Sequence, residues 1–131
     1  MKKELKKETR RLTNYELNVL LPILMKGLEM KKGKGNAVTC KEIVHGLKSH
    51  GLKINNRDVC RLINHIRTND LIVGLMASSH GYYITSSEEE FINYEDRLLG
   101  TEKAIRNVRL SIMRQRRNMF SQILPRQTQL F

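Results

Sequence analysis

The sequence predicts a mainly α-helical chain with a small β-hairpin, followed by one long C-terminal helix. Three observations carry this. Cap-forming residues precede apolar stripes of helical spacing at Thr13, Thr39 and Asn55. Two short apolar runs, 71–76 and 82–85, flank a turn that contains Gly81. Apolar residues then recur in alternating steps of three and four from Phe91 to Met119.

The first helix signal is Thr13-x-x-Glu16, a capping box in which each side chain satisfies an orphan backbone N–H. Behind it Leu17, Leu20, Leu21, Leu24 and Leu28 form a stripe, broadened by Val19 and Ile23. Pro22 lies inside the run and predicts a kink or a late start, because it donates no backbone hydrogen bond. Residues 31–36 read as a basic loop. A second capping box, Thr39-x-x-Glu42, opens a helix with Ile43, Val44 and Leu47 inward, stopped at Gly51, after which Leu52 and Ile54 turn to the core. Asn55 caps a third helix whose inner stripe is Val59, Leu62, Ile63 and Ile66, and Thr68-Asn69-Asp70 ends it. The strand-like runs 71–76 and 82–85 then form a hairpin around 77–81.

Ser86 or Ser87 caps the last helix, with acids in its first turn against the positive helix end. Its heptad seam runs Phe91, Tyr94, Leu98, Thr101, Ile105, Val108, Ile112, Gln115 and Met119. Ile92, Leu99, Met113 and Phe120 form a second stripe beside it, so the apolar face is wider than two strands require. Gly100-Thr101 is a competing signal for a break into two helices. The heptad keeps its phase across that point, and a mid-helix Gly costs only about 1 kcal/mol. One long helix that pairs with its copy is therefore expected, through Phe91, Tyr94, Leu98, Ile105, Val108 and Ile112. The organisation read from the sequence is a basic arm (1–12), a compact domain (13–85), the long helix (86–120) and a tail (121–131).

The chain has 131 residues, enough for one modest core. Twenty-four basic residues against 13 acidic ones give a net charge of +11, which argues for a polyanionic partner such as nucleic acid. The excess is concentrated at the two ends. Residues 2–11 hold six bases and two acids, and the stretch from Arg97 onward holds eight bases and one acid. Glu88 to Asp96, between them, holds five acids and no base. No apolar run approaches the length of a membrane span, and no signal peptide is expected at the N-terminus. Cys40 and Cys60 lack C-x-x-C spacing and read as reduced thiols of a cytoplasmic protein.

Helix, helix, helix, hairpin is the order of a winged helix. The segment from Leu12 to Thr85 resembles winged helix-turn-helix domains of phage and mobile-element proteins, through the capped 39–49 helix, the turn into the Asn55–Thr68 helix, and the Ser79-His80-Gly81-Tyr82-Tyr83-Ile84 wing. The outer face of the third helix carries Asn56, Arg57, Cys60, Arg61, Asn64, Arg67 and Thr68. Arg and Asn are the side chains that grip guanine and adenine edges with paired hydrogen bonds. Asn56, Arg57, Arg61, Asn64, Arg67 and Thr68 are thus candidate DNA contacts, with Lys41 and Lys53 on phosphate; a merely solvated face is the alternative reading.

The C-terminal Gln127-Thr128-Gln129-Leu130-Phe131 resembles the short peptide by which bacterial replication and repair proteins hook onto the DNA polymerase sliding clamp. That resemblance implies Gln127 at the pocket rim, with Leu130 and Phe131 in an apolar groove. Together the two resemblances imply a DNA-binding replication accessory or initiator protein of phage or mobile-element type. A dimeric winged-helix transcriptional regulator and a protein-interaction adaptor that does not touch DNA are the alternatives. No enzyme chemistry, cofactor or metal is expected: His45, His50, His65, His80, Cys40 and Cys60 fit no closed four-ligand spacing, and Gly33-x-Gly35 lacks the Lys-Ser/Thr of a phosphate loop.

Overall fold

Thr13 starts the first helix as its spacing predicts. Its Oγ1 accepts the Glu16 N–H at 3.1 Å, and its own N–H donates to Glu16 Oε1 at 2.8 Å. The computed structural model describes residues 11–121 and is mainly helical, with one two-stranded antiparallel sheet and a long C-terminal helix. It divides into two compact units after Ser87.

In the first unit, a π-helical turn, Glu16–Leu20, runs directly into helix α1, Leu21–Leu28. Pro22 explains the widened turn. It has no N–H to give, and its ring crowds the carbonyl four residues back, so the backbone inserts a residue instead. Leu21 accordingly donates to Glu16 O, five residues earlier. The altered phase leaves Leu17 outside: the predicted stripe holds for Leu20, Leu21, Leu24 and Leu28, whereas Leu17 and the Ile23 expected to broaden it are exposed.

Helix α2, Cys40–Ser49, begins at the Thr39/Glu42 capping box. It ends in a Schellman turn: Leu52 N–H reaches Leu47 O at 3.1 Å and Gly51 N–H reaches Lys48 O at 2.9 Å, with Gly51 at φ +81°. Helix α3, Asn56–Thr68, opens on a third capping box, Asn55/Asp58. It closes in the same way, Leu71 N–H donating to Ile66 O at 3.0 Å, with Asp70 in the left-handed conformation at φ +55°. Strands β1, Leu75–Ser78, and β2, Gly81–Ile84, pair in register Leu75 to Ile84 around a two-residue turn, Ser79-His80. The predicted first strand is displaced. Residues 71–74 are spent on leaving α3 and on a turn at Gly74, although Ile72 still reaches the core.

A third segment borders the hairpin. Val38 and Tyr82 exchange both backbone hydrogen bonds, at 2.8 and 2.9 Å, and Gly33 and Lys31 bond to Ile84. Gly81 makes this possible. A Cβ there would stand 2.8 Å from the Thr39 nitrogen and closer still to the Val38 carbonyl, and its φ is +118°. The core joins Leu20 of the π-helical turn, Leu24 and Leu28 of α1, Ile43 of α2, the α3 stripe Val59, Leu62, Ile63 and Ile66, and Leu75 of β1.

The second unit contains helix α4, Glu88–Ser121, 34 residues without interruption at Gly100. At 1.5 Å per residue it is about 51 Å long. None of its residues is buried.

Candidate nucleic-acid interface

Helix α3 is strongly two-sided. Val59, Leu62 and Ile66 are completely enclosed, while Asn56, Arg57, Cys60, Asn64 and Thr68 are exposed. Lys41, Lys48 and Lys53 are exposed as well, and Arg67 is half-buried. The Thr68 hydroxyl donates back to Asn64 O at 2.8 Å, which occupies its proton within the helix.

The Arg61 side chain does not point outward with the others. Its Nη2 donates to Glu16 Oε2 and, at 3.1 Å, to Asp58 Oδ1. Only 4 % of Glu16 is exposed. At about 100° per residue, position 61 falls on the outer side of α3 next to Asp58, and its long side chain reaches past Asp58 to Glu16 at the margin of the core. An anionic partner waiting at that margin captures it. Sequence reasoning missed this because Glu16 looked fully used by its capping box, and its partner lies 45 residues away. The carboxylate in fact serves both: one oxygen accepts the Thr13 N–H, the other the guanidinium. Burial pushes the Glu16 carboxyl up, but the hydrogen bonds from Thr13 and Arg61 and the Arg61 charge outweigh it and hold it below the usual 4.5.

A second tie reaches the turn before α3. The Lys53 N–H donates to the Tyr15 hydroxyl at 3.2 Å. The α2–α3 turn and the body of α3 are thus both fastened to the start of the first helix, which fixes the direction in which Asn56, Arg57 and Asn64 point.

The two cysteines are brought together from opposite helices. The Cys40 thiol, at the first residue of α2, lies 3.7 Å from both the carbonyl oxygen and Oδ1 of Asn56. Burial, and then the neighbouring Cys60 thiol, push the Cys40 thiol up from its ordinary value. Both are free thiols. Among the described residues no group of three or more His, Cys, Asp or Glu side chains is placed to hold a metal, and no helix is long and apolar enough to cross a membrane.

At the hairpin tip, Ser78 Oγ accepts the His80 N–H and donates to Gly81 O, both at 3.1 Å, and His80 itself is exposed. On α4 the residues expected to dimerise are uncovered: Phe91 is 38 % exposed, Leu98 47 %, Ile105 64 %, Val108 63 % and Ile112 57 %, with Tyr94 half-buried. Gln127, Leu130 and Phe131 lie outside the described residues. Comparison of the chain with protein-family models, with curated proteins and with solved structures returned no match.

Proposed function

We propose that this chain is a DNA-binding accessory protein with a winged helix in its first unit, serving replication of a phage or mobile element. In this reading α2, the Gly51 turn and α3 form the helix-turn-helix, and the β1–β2 hairpin is the wing. Asn56, Arg57 and Asn64 address base edges, while Lys41 and Lys53 hold phosphates. Arg61 leaves the contact set and becomes a brace. The long helix α4 dimerises the protein, and Gln127, Leu130 and Phe131 take a sliding clamp to the site.

The observation that supports this most is the outer face of α3, where Asn56, Arg57 and Asn64 are exposed on a helix fastened at its turn and its body, in a chain of net charge +11. A helix held in place in this way suits groove reading, because the backbone that carries these side chains is ordered before DNA arrives.

Binding of the full chain to duplex DNA, followed by fluorescence anisotropy at several salt concentrations, tests the reading. Affinity should fall steeply with salt, with a log–log slope of about −0.9 per phosphate contacted. Arg57→Ala and Asn64→Ala should each weaken binding roughly tenfold, the size of one lost paired contact to a base. Insensitivity to salt and to both substitutions would overturn it. Capture on a purified sliding clamp, with and without residues 127–131, tests the tail separately; equal recovery rejects that part.

The adaptor reading has one observation in its favour. An open, largely apolar groove of about 420 Å³ lies between α1 and α2, lined by Ile23, Gly27, Ile43, Gly46, Leu47 and Leu52. It predicts negligible DNA affinity even at low salt.

A further inference from the structure

We infer that α4 pairs with the α4 of a second copy in the antiparallel sense, joined at Glu102 to Arg109 of the other chain and at Glu95 to its Arg116. This rests on the dimer of the reading above and specifies its architecture.

Charge along the helix comes first. Its opening ten residues, Glu88 to Arg97, hold five acids and one base, whereas residues 104–121 hold five arginines and no acid. A parallel pair sets acid beside acid at one end and arginine beside arginine at the other. An antiparallel pair sets each acidic half against a basic one.

Register comes next. With the apolar seam as the a and d positions, a is Phe91, Leu98, Ile105, Ile112 and Met119, and d is Tyr94, Thr101, Val108 and Gln115. In antiparallel pairs a faces d of the other helix, and the flanking e positions face one another. One register centred between residues 106 and 107 matches Ile105 with Val108, Ile112 with Thr101, Leu98 with Gln115 and Met119 with Tyr94. The e positions are Glu95, Glu102, Arg109 and Arg116. In that same register Glu95 meets Arg116 and Glu102 meets Arg109, each twice by symmetry. No e position is left facing a like charge. Among the described residues none of these four has an ion-pair partner in its own chain. The parallel alternative places e against g, which brings Glu95 onto Glu90.

The polar seam residues do not oppose the antiparallel arrangement. Thr101 and Gln115 would favour a parallel pair if each needed its twin as a hydrogen-bond partner. Neither does: Thr101 Oγ1 donates to Arg97 O at 3.1 Å and the Gln115 amide donates to Ser111 Oγ at 3.2 Å, both within the helix. Thr101 can therefore sit opposite an apolar side chain with its proton bonded, whereas Gln115 keeps one N–H within its own helix and turns its second N–H and its oxygen to water at the edge of the seam. In this dimer the two Glu88 positions lie about 55 Å apart, at opposite ends of the rod.

The test uses the full chain carrying Cys40→Ala and Cys60→Ala, with Leu98→Cys in one preparation and Gln115→Cys in another. After mixing and mild oxidation, the antiparallel pair gives a cross-link between the two preparations and none within the Leu98→Cys preparation alone. Cross-linking of Leu98→Cys with itself keeps the dimer and overturns the orientation. A dimer with neither cross-link overturns the register. A monomer by sedimentation equilibrium at tens of micromolar overturns the dimer itself. Charge variants on the intact chain give an independent readout. Glu102→Arg and Arg109→Glu should each raise the dimer dissociation constant roughly tenfold, and mixing the two should restore association as a heterodimer. An unchanged constant for Arg109→Glu points to the parallel pair, in which residue 109 faces Ala104.

Discussion

Arg61 and Glu16 show how far a residue's neighbours decide its role. An arginine on an amphipathic helix reads as solvent-facing, yet here it neutralises a carboxylate that is almost wholly enclosed. Arg61→Ala leaves Glu16 charged and unpaired at the margin of the core, which should cost about 3 kcal/mol in chemical denaturation, as for other broken buried pairs. The pH dependence has a definite sign. Because the folded-state pKa of Glu16 lies below its ordinary 4.5, the stability it contributes is fully present above 4.5 and is lost as pH falls through the lower folded value. Thermal unfolding of the wild-type chain should therefore drop in Tm below pH 4.5, and Glu16→Gln should flatten that drop. Gly81 is the other residue without an alternative. Gly81→Ala must move the Val38 strand segment and holds a side chain at positive φ, so a loss of about 2–3 kcal/mol is expected in the same assay.

At the scale of elements, the helix starts of the first unit fall at the predicted caps Thr13, Thr39 and Asn55; the first two form the expected capping boxes, and at Asn55 the structure adds the reciprocal bond from Asp58. The capping hydrogen bonds from Thr39 also hold the Glu42 carboxyl below its ordinary value. The ends are less uniform. Gly51 closes α2 in a conformation glycine adopts at no cost, whereas Asp70 closes α3 in the same region with a side chain attached. Asp70→Gly should accordingly raise stability by about 0.5–1 kcal/mol, measured by thermal or urea unfolding. In α4 the glycine is the weak residue. A Cβ at Gly100 meets nothing, and position 100 lies off the seam, so Gly100→Ala should stiffen the helix by about 1 kcal/mol and raise its Tm without altering pairing.

At the scale of the whole molecule, the first unit carries its own core. Every residue of the main apolar cluster precedes the boundary at Ser87. A chain ending at residue 87 should thus still unfold cooperatively, and should be monomeric if the proposed pairing through α4 holds; circular dichroism with sedimentation velocity checks both. The second unit is the reverse case, a long helix with no buried residue of its own. An isolated helix of this kind draws most of its stability from a packed face, and its exposed apolar seam is the face on which the proposed pairing rests. A first unit that buries its core by itself carries α3 whether or not the helix is paired, so under the proposed function Arg57→Ala should reduce DNA affinity by the same factor in the truncated and full chains.

Much of this was legible in the sequence because it depends on short-range rules. Caps three residues apart, stripes three and four apart, and the unbroken phase of the heptad across Gly100 each report on neighbours along the chain. They set the helix starts, the inner faces of α2 and α3, and the continuity of α4. What required the folded chain was every contact between distant segments: Arg61 drawn from the outer face of α3 to Glu16, Tyr15 holding the Lys53 amide, Val38 pairing with Tyr82 through the space beside Gly81, and Cys40 meeting Asn56. Local expectations failed in two places: Leu17 and Ile23 are exposed on either side of the turn that Pro22 widens by a residue, and the first strand begins only at Leu75 because residues 71–74 are spent on leaving α3. Spacing along a helix specifies which side is apolar; which charged group waits at the edge of that side is a property of the packing, since only packing brings residues 45 apart within reach.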